Sequence, residues 1–367
     1  MTGRGVFRLC AGLGWPVRLG LLASGIAVLG LGLFLPASSE DTATATARAI
    51  DIEAVQLRVG DAQSLAGLGR LEFRRLEHLL ARIDDASDAC LKAGTVDRRS
   101  AQKAELSRLF AILSKSPTAQ SLLDRAWRHD VYVCADPGTG LLAYYLSGLR
   151  LIGLNPALTE GQKLAFLAHE LAHMPQHPLY SDNRHFPPDD LVLLRRVREA
   201  AAEACATQIA WELKQAGLPA AWNAKYADRF YGDIARAYTG ELDPRASDEG
   251  QHRAMRAAFD QWFDARARRD LYDRMTVDHL ERFSGDAVGL VPPRRRLSHE
   301  FLLGIATLGG RNYLASAPGR RLTDTFYAGR LSSDNAGLLR DALREAGVSF
   351  ETQAGAADQH PDDAPAG

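Results

Sequence analysis

The sequence predicts a mainly α-helical α+β fold in which a small β-hairpin or sheet lies beside one central buried helix. Three observations predict it. The run Leu164 to Met174 is apolar nearly all round, the pattern of a helix packed inside a protein. A second helical stretch, Asp189 to about Gly217, carries alanines at 200, 201, 202 and 204, side chains too small to hold a neighbouring helix away. Between residues 130 and 154, two short aliphatic runs bracket the turn Pro137-Gly138-Thr139-Gly140, the signature of short strands.

The N-terminal element is an export segment over residues 1–39. Arg4, Arg8 and Arg18 precede an uncharged stretch from Leu19 to Leu35, and Pro36-Ala37-Ser38-Ser39 leads into Glu40 and Asp41. Ala37 and Ser39 suit the small-residue cleavage rule, with a mature chain from Glu40. Residues 19–35 also approach the length of a membrane span, so a retained inner-membrane anchor is the alternative, with the membrane then a partner. Either way the positive-inside rule places the rest in the periplasm or cell envelope of a bacterium.

Residues 40–55, small and Thr-rich, form a linker. Residues 56–129 form a helical N-terminal region. Within it Leu65 to Leu91 has an apolar stripe at Leu68, Leu71, Phe73, Leu76, Leu79 and Leu80, and helices follow at 99–114 and 117–129. The latter opens at Ser116-Pro117, where proline suits the first helical position. The main domain, residues 130–350, begins with strands Asp130 to Cys134 and Leu149 to Leu154, expected as a hairpin.

Pro156 ends the second strand, and Thr159 with Gln162 makes a capping box that starts the buried helix. On its second and third turns lie His169, Glu170, Leu171, Ala172 and His173, the spacing HExxH. Residues four apart share a helix face, so both imidazoles can meet one metal ion, and Glu170 lies one step round, within reach of a water activated there. Unpaired polar groups inside an apolar helix cost about 1 to 3 kcal/mol each, which a cation removes. A third ligand must come from elsewhere. Glu199 and Glu203 stand one turn apart on the alanine-rich helix, and either fits.

Helices follow at 219–238, 251–284, 297–308 and 334–346, and the tail 351–367 is too poor in apolar residues to order itself. Beyond the leader's Cys10 stand Cys90, Cys134 and Cys205, enough for one bridge and one free thiol, with the pairing open. With 46% hydrophobic residues, 24% charged and a net charge of -1, the chain is an ordinary globular one without a nucleic-acid partner. The clusters Arg195-Arg196, Arg266 to Arg269 and Arg294 to Arg296 read as solvated helix faces.

The motif and the downstream glutamates resemble those of the gluzincins, zinc metallopeptidases of zincin-like fold in which HExxH is completed by a Glu on a later helix. That resemblance implies one Zn2+ per chain held by His169, His173 and Glu199, with Glu203 orienting a ligand histidine and the two glutamates' roles exchangeable. It implies Glu170 as general base in peptide-bond hydrolysis and a protein or peptide substrate. It also implies a strand edge that holds the substrate, here 149–154, and an oxyanion donor in the Pro175 to Asp190 segment: His177, Tyr180 or His185. His252, His279, His299 and Tyr313 are unranked alternatives. A closer resemblance, over about residues 130–217, is to bacterial proteins described only as putative metallopeptidases, with HELxHxxQ matched by His169 to His173 and Gln176. The rival expectation is a non-catalytic zincin-scaffold envelope protein that binds a partner without cleaving it.

Overall fold

The computed structural model describes residues 89–137, 142–147, 150–179, 186–242, 248–283, 296–308, 311–315 and 320–345. All belong to the unit Thr46–Gly367. The expected export segment and linker, residues 65–88 of the helix expected over 65–91, the C-terminal tail, Tyr180 and His185 lie outside the described residues. Among the described residues no helix is long and apolar enough to cross a membrane.

The molecule is mainly helical with a small mixed sheet. Strand β1 (Cys90–Lys92) precedes helices α1 (Ala101–Leu113) and α2 (Pro117–Arg128). Three strands follow, β2 (Tyr132–Ala135), β3 (Ala143–Leu146) and β4 (Leu151–Leu154), and then the motif helix α3 (Glu160–His173). Residues expected to end a helix at Leu91 are strand instead. Ser100 and Ser116 cap α1 and α2 by accepting the N–H groups of Lys103 and Ala119, as N-cap side chains do.

The sheet corrects the expected hairpin. Its order is β1-β2-β4-β3, and β2 runs parallel to β4, while β1 and β3 pair antiparallel with β2 and β4. The intervening β3 makes the turn back onto β4, so the 149–154 strand is interior and β3 is an edge. Gly153 permits that pairing. Tyr144 stands opposite it, a Cβ on Gly153 would lie 2.1 Å from the Tyr144 ring, and the Tyr144 hydroxyl donates to Asp136 at 2.7 Å.

Cys90 and Cys134 face each other across β1 and β2 and are joined by a disulfide, while Cys205 is a buried free thiol. The double variant Cys90→Ala/Cys134→Ala is expected to lose about 4 kcal/mol of unfolding free energy, the chain-entropy value for a loop of this length. Urea denaturation reads it; a loss below about 1 kcal/mol would mean the open chain is already constrained.

Beyond α3 comes a 3-10 stretch (Met174–Leu179) and then α4 (Pro188–Gln215), a helix about 42 Å long. Its alanines at 200, 201, 202, 204, 206 and 210 are buried, and α3 packs along it. The helix expected over 219–238 is two, α5 (Ala220–Ala227) and α6 (Gly232–Gly240). Asp228 breaks it by accepting the N–H groups of Phe230 and Tyr231, an Asx turn that competes with helix. The 251–284 helix is likewise two, α7 (Asp248–Asp264) and α8 (Arg266–Phe283). Here Arg268 donates to the carbonyls of Gln261 and Trp262, satisfying the end of α7.

The rest comprises α9 (His299–Ile305), the strand pair β5 (Thr307–Leu308) and β6 (Arg311–Asn312), and helices α10 (Thr325–Ala328) and α11 (Ser333–Glu345). One core runs from Leu91 to Tyr327, so it passes across the boundary expected at residue 129. Two arginines expected on solvated faces are buried. Arg268 pairs with Asp233. Arg196, 2% exposed, grips Asp273 and donates to the carbonyls of Tyr327 and Gly329. Each charge has a distant partner that no local pattern reveals.

Candidate metal centre

Helix α3 starts as expected. Thr159 and Gln162 form the complete capping box, and Lys163 ties the first turn to Glu105 on α1 at 2.6 Å. Gly161 lets α5 come close, since a Cβ there would lie 2.3 Å from the Ala220 carbonyl oxygen. With Glu160 as its first residue, α3 carries His169 and His173 on its third and last turns, one turn later than expected.

The three side chains expected as ligands come together. His169 Nε2 and His173 Nε2 are 3.1 Å apart, and Glu199 Oε2 lies 3.3 Å from the first and 3.6 Å from the second. Among the described residues, His169, His173 and Glu199 form a buried group able to hold a metal ion. Glu203 does not point at that spot. Its Oε2 meets His169 Nδ1 at 2.9 Å, and its Oε1 is ion-paired with Lys225 of α5.

The donor chemistry fits a cation. Gln176 donates its amide to the Arg198 carbonyl at 3.1 Å, which turns its Oε1 toward His173 Nδ1 at 2.9 Å. His173 Nδ1 must therefore carry hydrogen, as must His169 Nδ1 against the Glu203 carboxylate. Both Nε2 atoms are then lone-pair acceptors when the rings are neutral, and they converge with a carboxylate oxygen. Three acceptors facing one point repel unless a proton or a metal ion stands between them.

The electrostatics agree. Burial opposes a charge on His169, but hydrogen bonds to Glu199 and Glu203 outweigh it and hold its pKa up at about 10. Burial likewise opposes charge on Glu199, yet Arg195, 2.8 Å from its Oε1, and His173 keep it well below the usual carboxylate range. Glu203 is lowered to about 2 because Lys225 and His169 outweigh burial. Glu170 differs: burial pushes it up, with His169 and His173 opposing. The centre thus contains two carboxylates held ionised and one held toward its protonated form.

Tyr180 and His185 lie outside the described residues, as do the side chains of His177 and His279. His299 accepts the Leu322 N–H at 3.0 Å, and Tyr313 is buried against Phe259. Tyr231 and Tyr272 share a hydroxyl contact of 2.8 Å. Burial holds both phenols above their ordinary range, and the charges of Glu203 and Glu199 add to it, so both stay protonated. Of the groups supporting the centre, sequence reasoning missed Lys225 and Arg195, and it gave Gln176 no role. Two of them left a local trace: Gln176 stands three residues beyond His173, and Arg195 stands one turn before Glu199.

A model of the family described as "Putative metallopeptidase family (DUF6782)" matches residues 82–315. No curated protein and no solved structure matches the chain.

Proposed function

Because the chain belongs to this family of putative metallopeptidases, we propose that it is a zinc-dependent peptidase of gluzincin type, with His169, His173 and Glu199 as ligands and Glu170 as general base. The observation that carries this reading is the convergence of three buried acceptors, two imidazoles and a carboxylate, next to Glu170, whose carboxylate burial makes more basic. A divalent cation bound there supplies Lewis acidity toward the scissile carbonyl and toward a water. Glu170 removes a proton as the water oxygen attacks the carbonyl carbon, and it delivers that proton to the amide nitrogen as the C–N bond breaks. Glu203 fixes the His169 ring through Nδ1, and Gln176 fixes His173.

Edge strand β3 packs against α3 and has β4 as its paired neighbour. It is the platform on which an extended peptide can add as a further strand. Action outside the cytoplasm, in a bacterial periplasm or envelope, is part of the proposal; the Cys90–Cys134 bond supports it, since such bonds persist in oxidising compartments.

The test is incubation of the zinc-loaded full chain with an unfolded polypeptide, the products being read by mass spectrometry. Internal or terminal cleavage that a chelator stops and zinc restores is the expected result. Binding of the polypeptide without cleavage would instead indicate the non-catalytic scaffold.

A further inference from the structure

The two candidate histidine ligands are held by unlike partners. His173 leans on the neutral amide of Gln176, itself anchored to the α4 backbone. His169 leans on a carboxylate whose other oxygen is taken by Lys225. Lys225 is 6% exposed and stands on α5, pressed against α3 where Gly161 meets Ala220. A glutamate has three rotatable bonds, so one contact does not aim it. Pinned at Oε1 by an ammonium and at Oε2 by an imidazole, Glu203 has one arrangement left.

The charges point the same way. Glu199 and Glu203 are buried together, with Arg195 paired to the first and Lys225 to the second. Without Lys225, Glu203 would be a buried carboxylate free to turn toward the cation position instead of supporting His169 from behind.

We propose that Lys225 is a positioning residue for the metal centre, acting through Glu203 to aim the His169 ring at the ion. The inference rests on the zinc-site reading above. It makes α5, which contributes no ligand, part of the apparatus that sets metal affinity. A small cavity of about 20 Å³ lined by Glu203, Lys225, Asp228 and Tyr231 lies beside the ammonium, room for the slightly larger guanidinium of an arginine.

The experiment measures zinc affinity by competition with a chromophoric chelator and records the visible absorption of the cobalt-substituted protein, for the full chain and three variants. Lys225→Met is expected to bind zinc about 10- to 100-fold more weakly, the usual cost of losing outer support, and to show an altered cobalt spectrum. Lys225→Arg is expected to stay within about threefold of the parent. Glu203→Gln/Lys225→Met removes both charges together, so it recovers the stability of the metal-free chain while zinc affinity remains low. That variant decides the matter should Lys225→Met not fold. Parental affinity and spectrum in Lys225→Met, or recovered affinity in the double variant, would reduce Lys225 to a charge partner and overturn the inference while leaving the zinc site standing. Absence of zinc binding by the parent chain would remove the site itself, and the inference with it.

Discussion

Glu170→Gln is expected to lower kcat by about 100- to 10,000-fold, the range contributed by general acid–base catalysis, with zinc content unchanged. Glutamine keeps the shape and the carbonyl oxygen but has no basicity, so it can position a water and cannot take its proton. Zinc should remain because Glu170 is not among the three converging donors. Burial makes the ionised carboxylate costly, so the neutral amide should leave the fold as stable or slightly more so, the usual trade at catalytic positions. Metal analysis, thermal unfolding and initial rates on the same preparation separate these effects. Parental turnover in Glu170→Gln would mean that the proton goes elsewhere.

The second large effect concerns the ion. The parent chain should carry about one zinc, and His169→Ala and Glu199→Ala should lose it on dialysis, since each removes one of the three proposed protein ligands. Binding should also expel about one proton per zinc near pH 8. The sign follows from His169, whose pKa is raised from 6.5 to about 10. Below that pH the metal-free ring is protonated, and an ion needs the lone pair that the proton occupies. Affinity should therefore rise with pH and level off as pH passes about 10. Calorimetry in two buffers of different ionisation enthalpy counts the proton. Zinc retained by both variants would place the ion elsewhere.

Much of the centre was legible because its information is local. Thr159 and Gln162 mark a helix start, and His169 and His173 are one turn apart on whatever helix they occupy. The alanines near Glu199 announce a close neighbour, though not which one. The sheet was harder. A hairpin is the default for two successive strands that bracket a turn, and only the four-residue β3, with Tyr144 over Gly153, converts the pair to parallel. The two split helices were misread for a related reason. Asp228 and Arg268 interrupt them by bonding to backbone groups, which hydrophobic periodicity does not register. Lys225 had no local signal at all, being a lysine in a short helix 22 positions from its partner.

Arg196 bears on how precisely the centre is set. It sits on α4 three residues before Glu199 and reaches across to the carbonyls of Tyr327 and Gly329, the first 131 positions away in the chain. A long helix carrying a ligand can fail by rolling about its own axis. A roll of about 20° would swing a carboxylate carried about 6 Å off that axis through about 2 Å, enough to detach it. Bonded at once to Asp273 and to two carbonyls, Arg196 acts as a key in a shaft. The angular setting of Glu199, the proposed third ligand, is thereby kept by a stretch of peptide more than a hundred positions on, at Tyr327 and Gly329.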